Sequence, residues 1–304
     1  MIPQVSIIIP SARPEAVRRT VEALVRQQHL TEDYEILLVT PFARQEWMAD
    51  LEKFRLVTVE SLYPPGKMRN IGVRQAWGRS LAFIDDDCVP PPEWLSSLEN
   101  QLHSRENIGA VGCRVVSGKQ TLMNLCADHC LFSVYQYRQS ANIALGSAAL
   151  LVRREAFEDA QGFDENLLAS EDWDFSMRLL QHGWTCFFTA DVDVLHYHGR
   201  GDLFSVLRGA YRSGYRSGLT VQRRHYSTLS WLARLSVSMG TPTLYWLLII
   251  PYTAALTILQ AIENLRNEPE AILFLPMIFI SRCLYHIGVW ARLLEDRSEK
   301  GTSS

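Results

Sequence analysis

Short apolar, β-branched runs recur through the first two hundred residues, each parted from the next by a stretch of helical periodicity. Val5–Ile9 ends at Pro10. Val17, Val21, Leu24 and Val25 then repeat at the 3.6-residue spacing of an amphipathic helix, which Pro14 is suited to open. "YEILLVT" (34–40) and "FRLVTVE" (54–60) predict a second and third strand, and "SLAFI" (80–84) a fourth. "GKMRNIGVRQAWG" (66–78) predicts a helix stopped at Gly78. Beyond these come a helix over 94–104, a strand over 108–116, and a strand with a short helix within 144–165. A helix over 170–183 follows, with Ser170 as its cap, Glu171 and Asp172 at the positive end of its dipole and Gly183 as its stop. "WTCFFTA" and "VDVLHYH" read as two more short strands. Such alternation predicts an α/β domain on a mostly parallel sheet, which binds ligands at the carboxyl ends of its strands.

The character changes after about residue 235, so the chain divides into an α/β domain over 1–234 and a hydrophobic helical hairpin over 235–304. Residues 241–262 carry no charge in 22 positions, enough to cross a bilayer. Residues 271–290 are a second apolar stretch, interrupted by Arg282, an expensive residue at mid-span. Both ends of the hairpin are rich in arginine, whereas its turn (263–270) holds three acids and one Arg. The positive-inside tendency therefore places the α/β domain at the cytoplasmic face of the membrane; the alternative is a pair of core helices packed on that domain. The net charge of −3 provides no global field for nucleic acid. The six cysteines form no CxxC pair and read as buried thiols; Cys126 and Cys130 share a helix face without completing a zinc set. The first residues lack the basic start and long apolar run of a signal peptide.

Five stretches carry candidate chemistry. Asp85, Asp86 and Asp87 end the fourth predicted strand, and their repulsion demands a cation. If the segment stays extended, Asp85 and Asp87 point to one side, as hard oxygen donors suited to Mg²⁺ or Mn²⁺ shared with a phosphate. A solvated acidic turn would use the same residues. "SEDWDF" offers Glu171 or Asp172 as a general base, although helix capping alone would explain them. In "LHYHG", His196 and His198 lie on one face of an extended stretch and are potential metal ligands. "PSARP" brings Pro10, Ser11 and Arg13 to the end of the first strand, and "PPGKMRN" supplies Lys67 and Arg69, two cations for a diphosphate or a solvated basic surface.

Taken in order, these stretches resemble the family 2 glycosyltransferases of the GT-A fold, over roughly residues 4–205. "VSIIIPSARP" is similar to the family's opening strand, and "GKMRNIGVRQAWGRSLAFIDDDC" to its Asn-containing helix and DxD strand. "LGSAALLVRREAFEDAQGFDE" is similar to its acceptor-side segment, "SEDWDFSMRLLQHG" to its Glu-Asp helix and "VLHYHG" to its closing His strand. The resemblance implies an inverting transfer of one sugar from a nucleotide sugar, a UDP-sugar first among donors, with Mn²⁺ or Mg²⁺, to a saccharide or lipid-linked acceptor. It implies that Pro10, Ser11 and Arg13 line the nucleotide pocket, and it groups Lys67, Arg69, Asn70, Asp85 and Asp86 with them as cofactor-binding. Asp87 and Asp85 would hold the metal, with His196 or else His198. Asp172 would be the base, with Glu171 beside it. Three departures stand out. "LLVTPFA" (37–43) lacks the acidic pair that many members carry after the second strand. Ala12-Arg13 replaces the familiar Tyr-Asn. The Gln-x-x-Arg-Trp signature of processive members is missing, which implies a single transfer. The alternative is a membrane-anchored binding module of the same fold without catalysis. A nicotinamide-dependent oxidoreductase would need a Gly-rich first turn, and "PSARPE" contains no glycine.

Overall fold

A computed structural model describes residues 3–28, 34–119, 121–132, 140–225, 242–267 and 269–301. In chain order, β1 (Val5–Pro10), α1 (Pro14–Leu24), β2 (Tyr34–Thr40), β3 (Phe54–Thr58), α2 (Pro65–Gln75) and β4 (Ser80–Ile84) follow the predicted alternation. Next come β5 (Cys88–Val89), α3 (Trp94–His103), β6 (Ile108–Ser117), α4 (Leu122–Ala127), β7 (Ser140–Ala141), β8 (Ala149–Arg153), α5 (Arg154–Asp159), α6 (Glu171–Gln181) and β9 (Thr185–His196). The chain closes with α7 (Leu203–Ser213), α8 (Leu219–Arg224), α9 (Pro242–Asn267) and α10 (Leu275–Gly301). Two compact units result: Met1–Gly118 with Tyr135–His198, and Lys119–Val134 with Gly199–Ser304. The boundary expected at 234/235 falls outside the described residues.

The first unit is built on a nine-stranded sheet in the order β3-β2-β1-β4-β8-β6-β9-β5, with β7 also paired to β9. The first four strands in that order run parallel, and their carboxyl ends define one edge of the sheet. Ile7, Ile8, Ile9, Leu37, Leu38, Leu81 and Phe83 are fully buried. Helices on both faces require this, because a strand covered on both sides has no polar face to show. The mostly parallel reading holds for this half. The other half is mixed: β8 is antiparallel to both β4 and β6. The two short strands expected over 184–197 are one strand, β9, whose pairing with β6 slips from Cys113↔Thr189 to Arg114↔Asp193. A polar irregularity in one strand looks, from sequence, like a gap between two.

Ser170 does not cap α6 through its side chain. It sits at φ 60°, in left-handed backbone, and its carbonyl accepts from Asp174 N–H at 3.1 Å. The αL residue turns the chain sharply, so that Glu171 and Asp172 enter the helix facing the sheet edge.

In the second unit, α9 and α10 share an apolar cluster that includes Ile249, Val289 and Leu293. Among the described residues one segment, Ile272–Glu295, is long and apolar enough to cross a membrane, at a mean hydropathy of 1.8. Within the other expected span, only the shorter apolar stretch Ile249–Leu259 stands out. Arg282 Nη1 donates to Thr257 Oγ1 on α9 at 3.1 Å, so its charge is directed at the neighbouring helix. Cys126 and Cys130 lie on one face, sulfur to sulfur 3.9 Å.

Candidate active site

The three aspartates leave β4 in a turn. Cys88 N–H donates to the Asp85 carbonyl at 3.1 Å, closing the chain on itself, and each carboxylate takes a separate direction. Asp85 meets Arg69 Nη2 at 2.7 Å. Asp86, 6% exposed, turns into the β1–α1 loop: it accepts from Ser11 Oγ at 2.6 Å and from Arg13 Nε at 3.1 Å, and Arg13 Nη2 also pairs with it. Thr20 Oγ1 on α1 holds the Asp86 carbonyl at 2.9 Å. Asp87 receives Arg13 Nη2 on one oxygen at 2.9 Å and His196 Nε2 on the other at 3.1 Å. The alternation expected of Asp85 and Asp87 assumed extended backbone; here a turn intervenes, and Asp85 pairs with Arg69 while Asp87 pairs with Arg13 and His196.

His196 is brought to Asp87 by strand pairing. The short strand β5 runs antiparallel to the end of β9, with Cys88 opposite His196, and Tyr197 N–H donates to the Asp87 carbonyl at 2.8 Å. Asp87, Cys88 and His196 thus place one ligand atom each within 4.8 Å of one another. Burial alone would raise the Asp87 carboxyl, but the hydrogen bond and charge of His196, then Arg13, outweigh it and hold the group well below the usual carboxylate range. The Cys88 thiol is pushed well up, first by burial and then by Asp85 and Asp87. An ionised carboxylate suits Mn²⁺ or Mg²⁺, and an imidazole beside it favours the softer Mn²⁺ of the two, whereas a protonated thiol suits neither. The fitting donors are therefore Asp87 and His196. His198 packs edge-to-face on His196, ring centres 5.2 Å apart.

The opposite side of the edge is organised by Arg69, on α2. Only 2% exposed, it bridges Asp85 and Glu171, the latter from Nη1 to Oε1 at 2.7 Å. Burial opposes its charge, yet Asp85, Glu171 and Asp172 keep the guanidinium firmly protonated. A buried cation with two carboxylate partners positions those carboxylates; the diphosphate contact anticipated for Arg69 would require it to leave them. Lys67 lies over the Tyr63 ring at 3.9 Å. Asn70 is a buried clasp: its carbonyl accepts from Phe163 N–H at 3.0 Å and its amide donates to the Phe163 carbonyl at 2.8 Å. It pins the loop that leads to α6. Pro10 ends β1 beside Ser11, opposite Val39.

Asp172 stands at the head of α6, half-buried. One oxygen accepts from its neighbour Trp173 N–H at 2.8 Å, and the other faces Ser147 N–H at 3.3 Å. Burial and the adjacent Glu171 charge raise its carboxyl to about 6, against the pull of Arg69 and these two N–H groups. A carboxylate poised near neutrality takes up a proton readily without being held by it. Ser147 and Cys88 were not singled out from sequence. Neither residue type signals a site, and both arrive through strand pairing: Ala148, next to Ser147, accepts from Asp85 N–H at 3.2 Å.

One sheet edge thus carries Asp87 paired with His196 and, across the Asp85–Arg69–Glu171 bridge, Asp172 with its raised carboxyl. Residues 3–215 match the family model described as "Glycosyltransferase like family 2". The chain belongs to this family and carries its GT-A fold. It is 30% identical over 222 residues to the O-antigen biosynthesis protein RfbC of Myxococcus xanthus, 64% of this chain but 17% of that protein. It is 25% identical over 206 residues to the glycosyltransferase AglE of Haloferax volcanii, 64% of this chain and 67% of that one. Among solved structures it resembles a mannosyltransferase from Pyrobaculum calidifontis in complex with GDP-Man and Mn²⁺. The TM-score is 0.65 at 14% identity, over 97% of this chain and 88% of the other, a likeness of fold.

Proposed function

We propose that this chain is a metal-dependent, inverting glycosyltransferase. It moves one sugar from a nucleotide sugar to a hydroxyl of a saccharide or lipid-linked acceptor at the cytoplasmic face of a membrane. The observation that carries this reading is the separation of roles along one sheet edge, with Asp87 and His196 on one side of the Asp85–Arg69–Glu171 bridge and Asp172 on the other. The acceptor hydroxyl gives its proton to the Asp172 carboxylate as its oxygen bonds to the anomeric carbon. The bond from that carbon to the phosphate oxygen breaks, and its electron pair leaves with the nucleoside diphosphate. One base on the face opposite the leaving group inverts the centre. Asp87 and His196 would hold a divalent ion, whose charge, when bound, stabilises the departing diphosphate. The membrane part of the proposal rests on the apolar segment Ile272–Glu295.

A thermal-shift screen of UDP-, GDP- and dTDP-sugars, with and without Mn²⁺, tests the donor side; the GDP-Man of the structural relative puts GDP-sugars on an equal footing with UDP-sugars. One donor class should raise the melting temperature in a Mn²⁺-dependent way, by several degrees at saturating ligand. A chain stabilised by no donor at millimolar concentration, with or without Mn²⁺, would contradict the proposal.

A further inference from the structure

Arg13 occupies the acidic turn in a way that bears on how a metal reaches it. Its guanidinium spans Asp86 and Asp87, and it takes Asp87 Oδ2 at 2.9 Å while His196 faces Oδ1 of the same carboxylate. Two adjacent ionised carboxylates repel, and this fork neutralises them with one residue. The two halves of the fork are not equal. Asp86 is buried and held by Ser11 and Thr20, so the Arg13–Asp86 contact is anchored. The contact to Asp87 is the outer one, made by a side chain that is 54% exposed. A cavity of about 140 Å³ opens beside it, lined by Arg13, Arg19, Thr20, Asp87, Val89 and Tyr197, with Glu15 at its wall. That volume gives a guanidinium room to turn. Arg19 lies across the Tyr197 ring on the same cavity, 4.4 Å from its centre.

We infer that Arg13 is a built-in counter-cation that competes with the divalent ion for Asp87 and yields that carboxylate when a nucleoside diphosphate arrives to engage the guanidinium. A lone divalent cation approaching Asp87 meets a positive charge already in place, and the two repel at close range. A diphosphate reverses the sign: its oxygens attract Arg13 away from Asp87, with Arg19 on the same cavity wall, while leaving oxygens to share with the ion. Metal and nucleotide binding are then coupled, and the coupling is reciprocal. The consequence is an enzyme that does not hold a naked divalent ion at an open carboxylate.

The inference rests on the metal site proposed above, and the test separates the two. Mn²⁺ binding to the full-length, detergent-solubilised protein is titrated by the electron paramagnetic resonance signal of free Mn²⁺, alone and with saturating UDP or GDP. Wild type should bind Mn²⁺ weakly by itself and at least about tenfold tighter with the matching nucleotide. R13Q should bind Mn²⁺ alone at least about tenfold tighter than wild type and lose most of the nucleotide effect. If R13Q binds Mn²⁺ no tighter than wild type while D87N abolishes binding, the counter-cation role is wrong and the metal site stands. If D87N leaves wild-type binding intact, the metal site itself is wrong. Should R13Q fail to fold, R13K decides. It keeps a charge but cannot span both carboxylates, and it must bind Mn²⁺ alone at least about threefold tighter than wild type.

Discussion

Replacing Asp172 by Asn should abolish transfer and make the protein more stable. The carboxyl of Asp172 rises from 3.8 in an unfolded chain to about 6 in the fold, because burial and the Glu171 charge outweigh Arg69. The folded state therefore prefers the protonated acid. Below pH 3.8 the group is protonated in both states and costs nothing. As the pH rises from there to about 6 the unfolded chain ionises and the folded one resists, so stability is lost. Above pH 6 the full penalty is present, about 3 kcal/mol for a displacement of this size. An amide has nearly the same shape and carries no charge; its one oxygen keeps the 2.8 Å bond from Trp173 N–H, while its NH2 replaces the oxygen that faces Ser147 N–H at 3.3 Å, a loss that takes back part of the gain. Recovering 1–3 kcal/mol would raise the melting temperature by roughly 2–5 °C in a chain of this size. Differential scanning fluorimetry of wild type and D172N between pH 4 and 8 measures this directly. The gain should be largest above pH 6.5 and fade toward pH 4, while transfer falls by a factor of about 10² to 10⁴ above pH 6.5 and by less toward pH 4, where the wild-type base is itself protonated. A variant that melts lower than wild type at pH 7.5, or that gains as much at pH 4 as at pH 7.5, would refute the electrostatic argument. One that keeps near-normal turnover would remove Asp172 from the chemistry.

Glu171→Gln removes the neighbouring charge that helps raise Asp172 while keeping an acceptor for Arg69; the acid limb of kcat/KM, near pH 6 in wild type, should move to lower pH, and an unmoved limb would contradict the coupling. Arg69→Met leaves the buried Glu171 and the one-third exposed Asp85 without their cation and should cost about 3 kcal/mol in urea unfolding; a loss under about 1 kcal/mol would mean that the bridge is not structural. If Ile272–Glu295 spans a bilayer, the full chain should stay with membranes through an alkaline carbonate wash and leave only in detergent, whereas release by carbonate would make the segment peripheral.

How much of this was legible depended on what each residue's environment is made of. β1, β2 and β4 could be placed almost to the residue because strands buried on both faces read as unbroken apolar runs, and their short length and β-branched content tell them from buried helix segments. The Glu-Asp helix was legible from its acidic start. What failed was local geometry that tertiary structure imposes. Strand direction is invisible in composition, so the antiparallel β8 could not be told from a parallel neighbour. β5 is two residues long, lies in what reads as a Pro-rich turn, and exists only because β9 pairs with it. Without that pairing Cys88 is one more buried thiol and His196 has no defined neighbour. Asn70 was grouped with ligand-binding residues because it sits on the right helix; its side chain is spent on Phe163. Arg13 was placed at the nucleotide pocket, but its commitment to Asp86 and Asp87 needs the loop after β1 to reach the end of β4, a contact between residues more than seventy apart in sequence.

The acidic triplet is better understood as three positions with three counter-cations than as one cluster. Asp85 belongs to Arg69 and through it to Glu171; Asp86 belongs to Arg13 and Ser11; Asp87 is divided between Arg13 and His196. Asp86 and Asp87 share the half-exposed Arg13, but only at Asp87 is that contact the outer one, open to exchange for another cation. The first two are locked by buried side chains. This ordering follows from the turn that Cys88 N–H closes on Asp85: in an extended strand the first and third carboxylates would converge, and one ion would take both. With the turn in place, Asp85 is committed to Arg69, and Asp87 with His196 is the pair to which the proposal above gives the metal. A substitution that straightened the turn would thus be expected to damage proton acceptance at Asp172 as well as metal binding, since Arg69 ties the first carboxylate to the helix that carries the base.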